Sequence, residues 1–97
     1  MQSRRPNPVF SDEYGVLRNA VIQARHAAML SQAEVAGQLG KSNSHVARIE
    51  RGQRRIDALE LYALTRIFRI DPGEFFATIA QRLDALATSE PDPGPRR

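Results

Sequence analysis

Apolar residues along the chain recur at intervals of three and four, and no stretch alternates convincingly at period two. The pattern predicts an all-α fold of five helices. Leu17, Val21, Ala24 and Ala28 mark the buried stripe of a first helix that opens near Ser11 or Asp12 and runs to about Met29. Val16 and Ala20 lie at its margin, Arg25 beside it. Two short amphipathic runs follow, Gln32 to Leu39 and Asn43 to Arg51, separated by Gly40-Lys41-Ser42. Val35, Leu39, Val46 and Ile49 face inward, whereas Asn43, Ser44, Ala47, Arg48 and Arg51 fall on the opposite side of the second run. A fourth helix spans about Ala58 to Phe68, with Leu61, Leu64 and Phe68 inward.

Each helix start carries a local signal. Ser31 and Ser42 are candidate N-caps. Glu34 follows Ser31 at the spacing of a capping box, and Asp57 with Glu60 repeats the pattern. Gly40 and Gly52 suit the left-handed position that ends a helix, and Pro72 suits a first turn after Asp71. Ala36 is small where two helices cross closely. The 22 residues from Ser31 to Gly52 therefore look like a helix-turn-helix whose second helix presents a short, polar, basic face.

The last helix has more apolar positions than the core of so small a domain needs. Phe75 can complete the core, but Phe76, Ile79, Leu83 and Leu86 continue at spacings of three, four and three, as in a coiled-coil seam. Either the chain's own core or a second copy must cover that stripe. The expectation is a two-fold dimer with Phe76, Ile79, Leu83 and Leu86 at its interface.

The 97 residues, 41% of them hydrophobic, suffice for one core and not two. The expected organisation is an arm at residues 1–10, a domain at 11–87 with its dimerisation helix, and a tail at 88–97. Arg4 and Arg5 either follow a DNA groove or are solvated charges of a disordered leader. Without cysteine there is neither disulfide nor thiolate metal site, and a reducing cytoplasm is the natural setting. No apolar run suggests a signal peptide or membrane span, so a soluble protein is expected.

Charge sharpens the picture through its distribution. The net charge is only +3, yet Lys41, Arg48, Arg51, Arg54 and Arg55 face a single acid, Glu50, between residues 41 and 55. That segment carries +4 and the remainder −1, the footprint of a phosphate-rich partner. Enzymatic chemistry has little to stand on. There are two histidines, no glycine-rich phosphate loop and no nucleophile beside a plausible base, and neither a metal, a cofactor nor a small-molecule ligand is expected.

The chain resembles the phage-repressor and Cro-like family of helix-turn-helix regulators, also called the xenobiotic-response-element (XRE) type. The resemblance covers about Leu17 to Phe76: Arg25, the LSQAEVAGQLG run at Leu30 to Gly40, Val46 with Ile49, the IERG end at Ile49 to Gly52, and IDPGEFF at Ile70 to Phe76. It implies that Asn43, Ser44, His45 and Arg48 read bases. Asparagine can pair bidentately with adenine and arginine with guanine, so the residue types suit major-groove reading. It implies a phosphate contact from Gln32 at a helix N-terminus; Lys41, Ser42, Arg51, Arg54 and Arg55, placed around the motif, are expected to add phosphate contacts, the last two from a loop at Gln53 to Ile56 that varies within the family. It also implies a buried ion pair between Arg25 and Glu50 that orients the second helix. One departure is Arg69, where the family commonly has glycine.

The function implied is a sequence-specific, double-stranded-DNA-binding transcriptional regulator of bacterial or phage type. It would act as a homodimeric repressor on a palindromic operator. The alternative is an antitoxin or interaction module of the same fold whose main partner is another protein.

Overall fold

A computed structural model describes residues 11–89, of which Thr88 and Ser89 are described as backbone only. The expected arm, with Arg4 and Arg5, lies outside the described residues, as does the tail from residue 90. Five helices follow one another: α1 (Asp12–Ala27), α2 (Gln32–Leu39), α3 (Asn43–Glu50), α4 (Ala58–Phe68) and α5 (Pro72–Ser89). No strand occurs among the described residues.

Local chemistry sets most of the boundaries. The Ser11 hydroxyl accepts the Tyr14 amide at 3.0 Å to open α1. At α2 the capping box is complete: the Glu34 amide donates to Ser31 Oγ at 3.0 Å, and the Ser31 amide donates to Glu34 Oε1 at 2.7 Å. Gly40 then turns left-handed at φ 75° and closes the helix. Asp71 caps α5 through the Glu74 amide at 2.9 Å.

Helix α1 ends at Ala27, short of the expected Met29, because Met29 takes φ 61° and reverses the chain. Arg69 does the same after α4, at φ 61° and ψ 44°. The turn expected there from glycine is thus kept by an arginine. The amides of Arg69 and Ile70 close it on the carbonyls of Arg66 and Thr65 at 3.1 and 3.0 Å. A side chain in this conformation meets its own backbone and stores strain.

The core gathers Ala20, Val21 and Ala24 of α1, Val35 and Ala36 of α2, Val46 and Ile49 of α3, Leu64 and Phe68 of α4, and Phe75 and Ile79 of α5. Ala20 is buried rather than marginal, and Leu17 and Ala28 are only half-buried. Other helices pack on α1 from several sides, and small alanines permit the close approach. Thr65 is buried but satisfied, its hydroxyl donating to the Tyr62 carbonyl at 2.7 Å.

The expected seam on α5 is divided. Ile79 is 2% exposed within the single chain and belongs to its own core. Burying such a side chain contributes about 2 kcal/mol to the fold, so Ile79 is not available to a second copy. Phe76 stays 57% exposed, and Leu83 and Leu86 are half-buried.

Candidate nucleic-acid interface

Helix α3 is fixed from below and left bare above. Ser42 caps it by accepting the His45 amide at 3.2 Å, and Val46 and Ile49, both buried, anchor it in the core. With those two inward, the 3.6-residue period turns Asn43, Ser44 and Arg48 to solvent, and all three are exposed. Ser44 Oγ lies 3.2 Å from Ser42 Oγ. No acid pairs with Arg48 among the described residues.

The C-terminal end of α3 is tied to α1. Arg25 forks around the Glu50 carboxylate, Nε to Oε2 at 2.5 Å and Nη2 to Oε1 at 3.0 Å, with both side chains nearly buried. Its Nη1 donates to the Leu30 carbonyl at 2.7 Å, which ties the α1–α2 turn into the same brace. Burial works to raise the Glu50 pKa. Hydrogen bonds from Arg25 and Gln32 and the charges of Arg25 and His26 outweigh it, and the pKa lies below the ordinary value. Arg18 Nη1 adds a bond to the Glu50 carbonyl at 3.2 Å, satisfying one orphan acceptor at the end of α3.

Two residues expected at the DNA surface are placed differently. Gln32 donates its amide to Glu50 Oε1 at 2.9 Å, so the side chain expected on a phosphate belongs to the brace. His45 turns away from the exposed face. Its Nε2 lies 2.7 Å from Glu60 Oε2 on α4, and both side chains are about nine-tenths buried, so His45 is paired with α4 and not exposed beside Asn43, Ser44 and Arg48. Glu60 therefore does not close a capping box. Asp57 Oδ1 accepts the Glu60 amide at 2.8 Å, but the Glu60 carboxylate crosses to α3.

The loop after α3 turns on Gly52, at φ 76°, with the Gln53 amide donating to the Arg48 carbonyl at 2.8 Å. Gly52 is buried in a conformation that disfavours a side chain, and an added Cβ would stand 3.2 Å from Arg18 Nε, so that arginine would have to shift. Tyr14 secures the far side of the loop: its hydroxyl accepts the Ile56 amide at 2.6 Å and donates to the Arg54 carbonyl at 3.4 Å. Burial raises the Tyr14 pKa, and the Ile56 hydrogen bond and nearby arginines only partly oppose it. Lys41, Arg51, Arg54 and Arg55 are exposed around α3, with Arg51 reaching Gln53 Oε1 at 3.4 Å.

Tyr14, Arg18 and Glu60 thus escaped sequence reasoning. The first two carried a signal: Tyr14, Arg18, Val21 and Arg25 share one stripe of α1 at helical spacing. Glu60 carried none, because its partner lies fifteen positions away on another helix.

No group suited to holding a metal ion occurs among the described residues, and no described helix is long and apolar enough to cross a membrane. Two short crossed helices, the second braced at both ends and bare on its polar face, define a helix-turn-helix protein. A family model described as helix-turn-helix matches residues 21–75, and the chain belongs to this family, in its XRE-type, Cro/repressor-like branch of DNA-binding transcription regulators.

Among solved structures, an XRE-family like protein from Pseudomonas syringae pv. tomato is 30% identical, with a TM-score of 0.68 over 72% of this chain and 85% of that one. The restriction-modification controller protein C.AhdI from Aeromonas hydrophila is 31% identical, with a TM-score of 0.57 over 67% of this chain and 99% of that one. The clp gene regulator ClgR from C. glutamicum shares the fold at 15% identity, with a TM-score of 0.65 over 74% of this chain and 94% of that one. Comparison with curated protein sequences gives no match.

Proposed function

We propose that the protein is a homodimeric transcriptional repressor that binds a two-fold symmetric operator, placing α3 of each protomer in successive major grooves about 34 Å apart. The observation that carries this reading is the bare face of α3. Asn43, Ser44 and Arg48 stand exposed on a helix whose other face is buried and whose C-terminal end is braced by Arg25 and Glu50. A base-reading helix needs that combination of free hydrogen-bonding groups on a rigid support.

Lys41, Arg51, Arg54 and Arg55 are the phosphate contacts, with Ser42 at the start of α3. Gln32 contributes through its backbone amide and the second hydrogen of its side-chain amide, its first being given to Glu50. The dimer forms over the apolar groove between α1, α4 and α5, where Phe76 and Leu83 lie with Leu17 and Leu61.

Titration of a duplex at several salt concentrations tests the reading. The four cationic phosphate contacts per subunit, Lys41, Arg51, Arg54 and Arg55, give the dimer a slope of log affinity against log salt of about −7. A slope near zero contradicts it. A stable monomer at working concentrations would instead point to a different protein as the partner for the groove.

A further inference from the structure

The loop at residues 51–57 has no regular secondary structure, yet it carries three exposed arginines at the edge of the motif. Arg54 differs from the other two in being bonded at its backbone carbonyl and packed at its guanidinium against a ring held by another helix. Its carbonyl is reached by the Tyr14 hydroxyl, which also takes the Ile56 amide and so pins the loop backbone to α1. Its guanidinium Nε lies 3.3 Å from His45 Nε2. That ring is itself held by Glu60 at 2.7 Å, and the shorter, charge-assisted partner takes the ring hydrogen. Arg54 thus rests against the ring edge, and its terminal Nη groups have no partner among the described residues.

We propose that Tyr14 and the His45–Glu60 pair form a clamp that presents Arg54 to a DNA phosphate, with Tyr14, His45 and Glu60 as positioning residues acting through Arg54. Helices α1, α3 and α4 all enter the clamp, so the loop is set in the same frame as the base-reading face. A preorganised arginine loses less freedom on meeting a phosphate than one on an unpinned loop. The proposal rests on the DNA-binding reading above and assigns a role to three residues which that reading leaves unused.

A mutant cycle tests it. The wild-type chain, Tyr14→Phe, Arg54→Ala and the double variant are titrated with a mixed-sequence duplex long enough for both half-sites, across a salt series. Arg54→Ala should flatten the salt slope by about 0.9 for each phosphate that is no longer neutralised. Tyr14→Phe should flatten it in the same direction and weaken binding roughly threefold to tenfold, as loss of the hydroxyl's bonds to the Ile56 amide and the Arg54 carbonyl allows. In the Arg54→Ala background Tyr14→Phe should lose most of its effect, the remainder acting through Arg55 on the same pinned loop.

An equal loss in both backgrounds, or an unchanged slope in Tyr14→Phe, overturns the clamp. Glu60→Ala leaves the Tyr14 bonds in place and serves as a second probe. Its effect should vanish without Arg54, and persistence of that effect also counts against the clamp. Salt-independent binding by the wild type would instead defeat the DNA-binding reading itself, so the two failures are distinguishable.

Discussion

Glu50 joins three other side chains through its carboxylate and its backbone carbonyl. It accepts from Arg25 and Gln32, and its carbonyl accepts from Arg18. Replacing it with alanine leaves the Arg25 guanidinium nearly buried without its counter-charge, which costs about 3 kcal/mol. Thermal unfolding of Glu50→Ala should show that loss, and unchanged stability would contradict the brace. The pH dependence has a definite sign. Because the folded-state pKa is depressed below its ordinary 4.5, the stabilisation is complete above that value and disappears as pH falls through the lower folded-state pKa. The stability gap between the wild type and Glu50→Gln should therefore close on acidification and stay constant from about pH 5 to neutrality.

Arg69 makes the opposite prediction. It sits at φ 61° in a turn whose hydrogen bonds are complete, so the conformation is imposed on a residue that resists it. Arg69→Gly should raise stability by about 1 kcal/mol, the relief of the left-handed side chain less the added freedom of the unfolded chain. Chemical denaturation gives the number. A loss of stability would mean that the arginine side chain contributes more than its backbone costs.

Among the elements, α2 and α3 were the most legible, and for a physical reason. Their start and stop signals are short-range: Ser31 with Glu34, Gly40, Ser42 and Gly52 each act within a few residues. The Arg25–Glu50 brace was legible only through the resemblance, since 25 positions separate its partners. What could not be read was the choice among long-range partners. Glu60 had a good local use as a capping residue, and His45 a good motif-based one as a base reader. The folded chain brings them together instead, because burial of both groups favours pairing over solvation of either. The consequence for α3 is an exposed polar face made by Asn43, Ser44 and Arg48 without His45. Arg48→Ala should weaken specific binding by about 1 to 3 kcal/mol and leave nonspecific binding little changed. Competition between a selected site and mixed-sequence DNA measures both.

For the whole molecule, the division of the α5 seam changes what a dimer can use. The run of Phe76, Ile79, Leu83 and Leu86 has the spacing of a two-stranded coil, but α5 folds back on its own chain and gives Ile79 to the core. Spacing alone could not separate these outcomes, because a stripe that faces a core and one that faces a partner obey the same period. What remains is a groove with Phe76 at its rim, 57% exposed. Phe76→Glu should leave the fold intact and yield a monomer in sedimentation, whereas an unaltered dimer would move the interface elsewhere.

The central claim, that paired copies of α3 read a two-fold symmetric operator, is tested most directly by selecting from random duplex DNA with the purified protein and sequencing what is retained. Two inverted half-sites with centres about one helical turn apart are predicted, whereas retained fragments that share no motif, or a motif without two-fold symmetry, would contradict it.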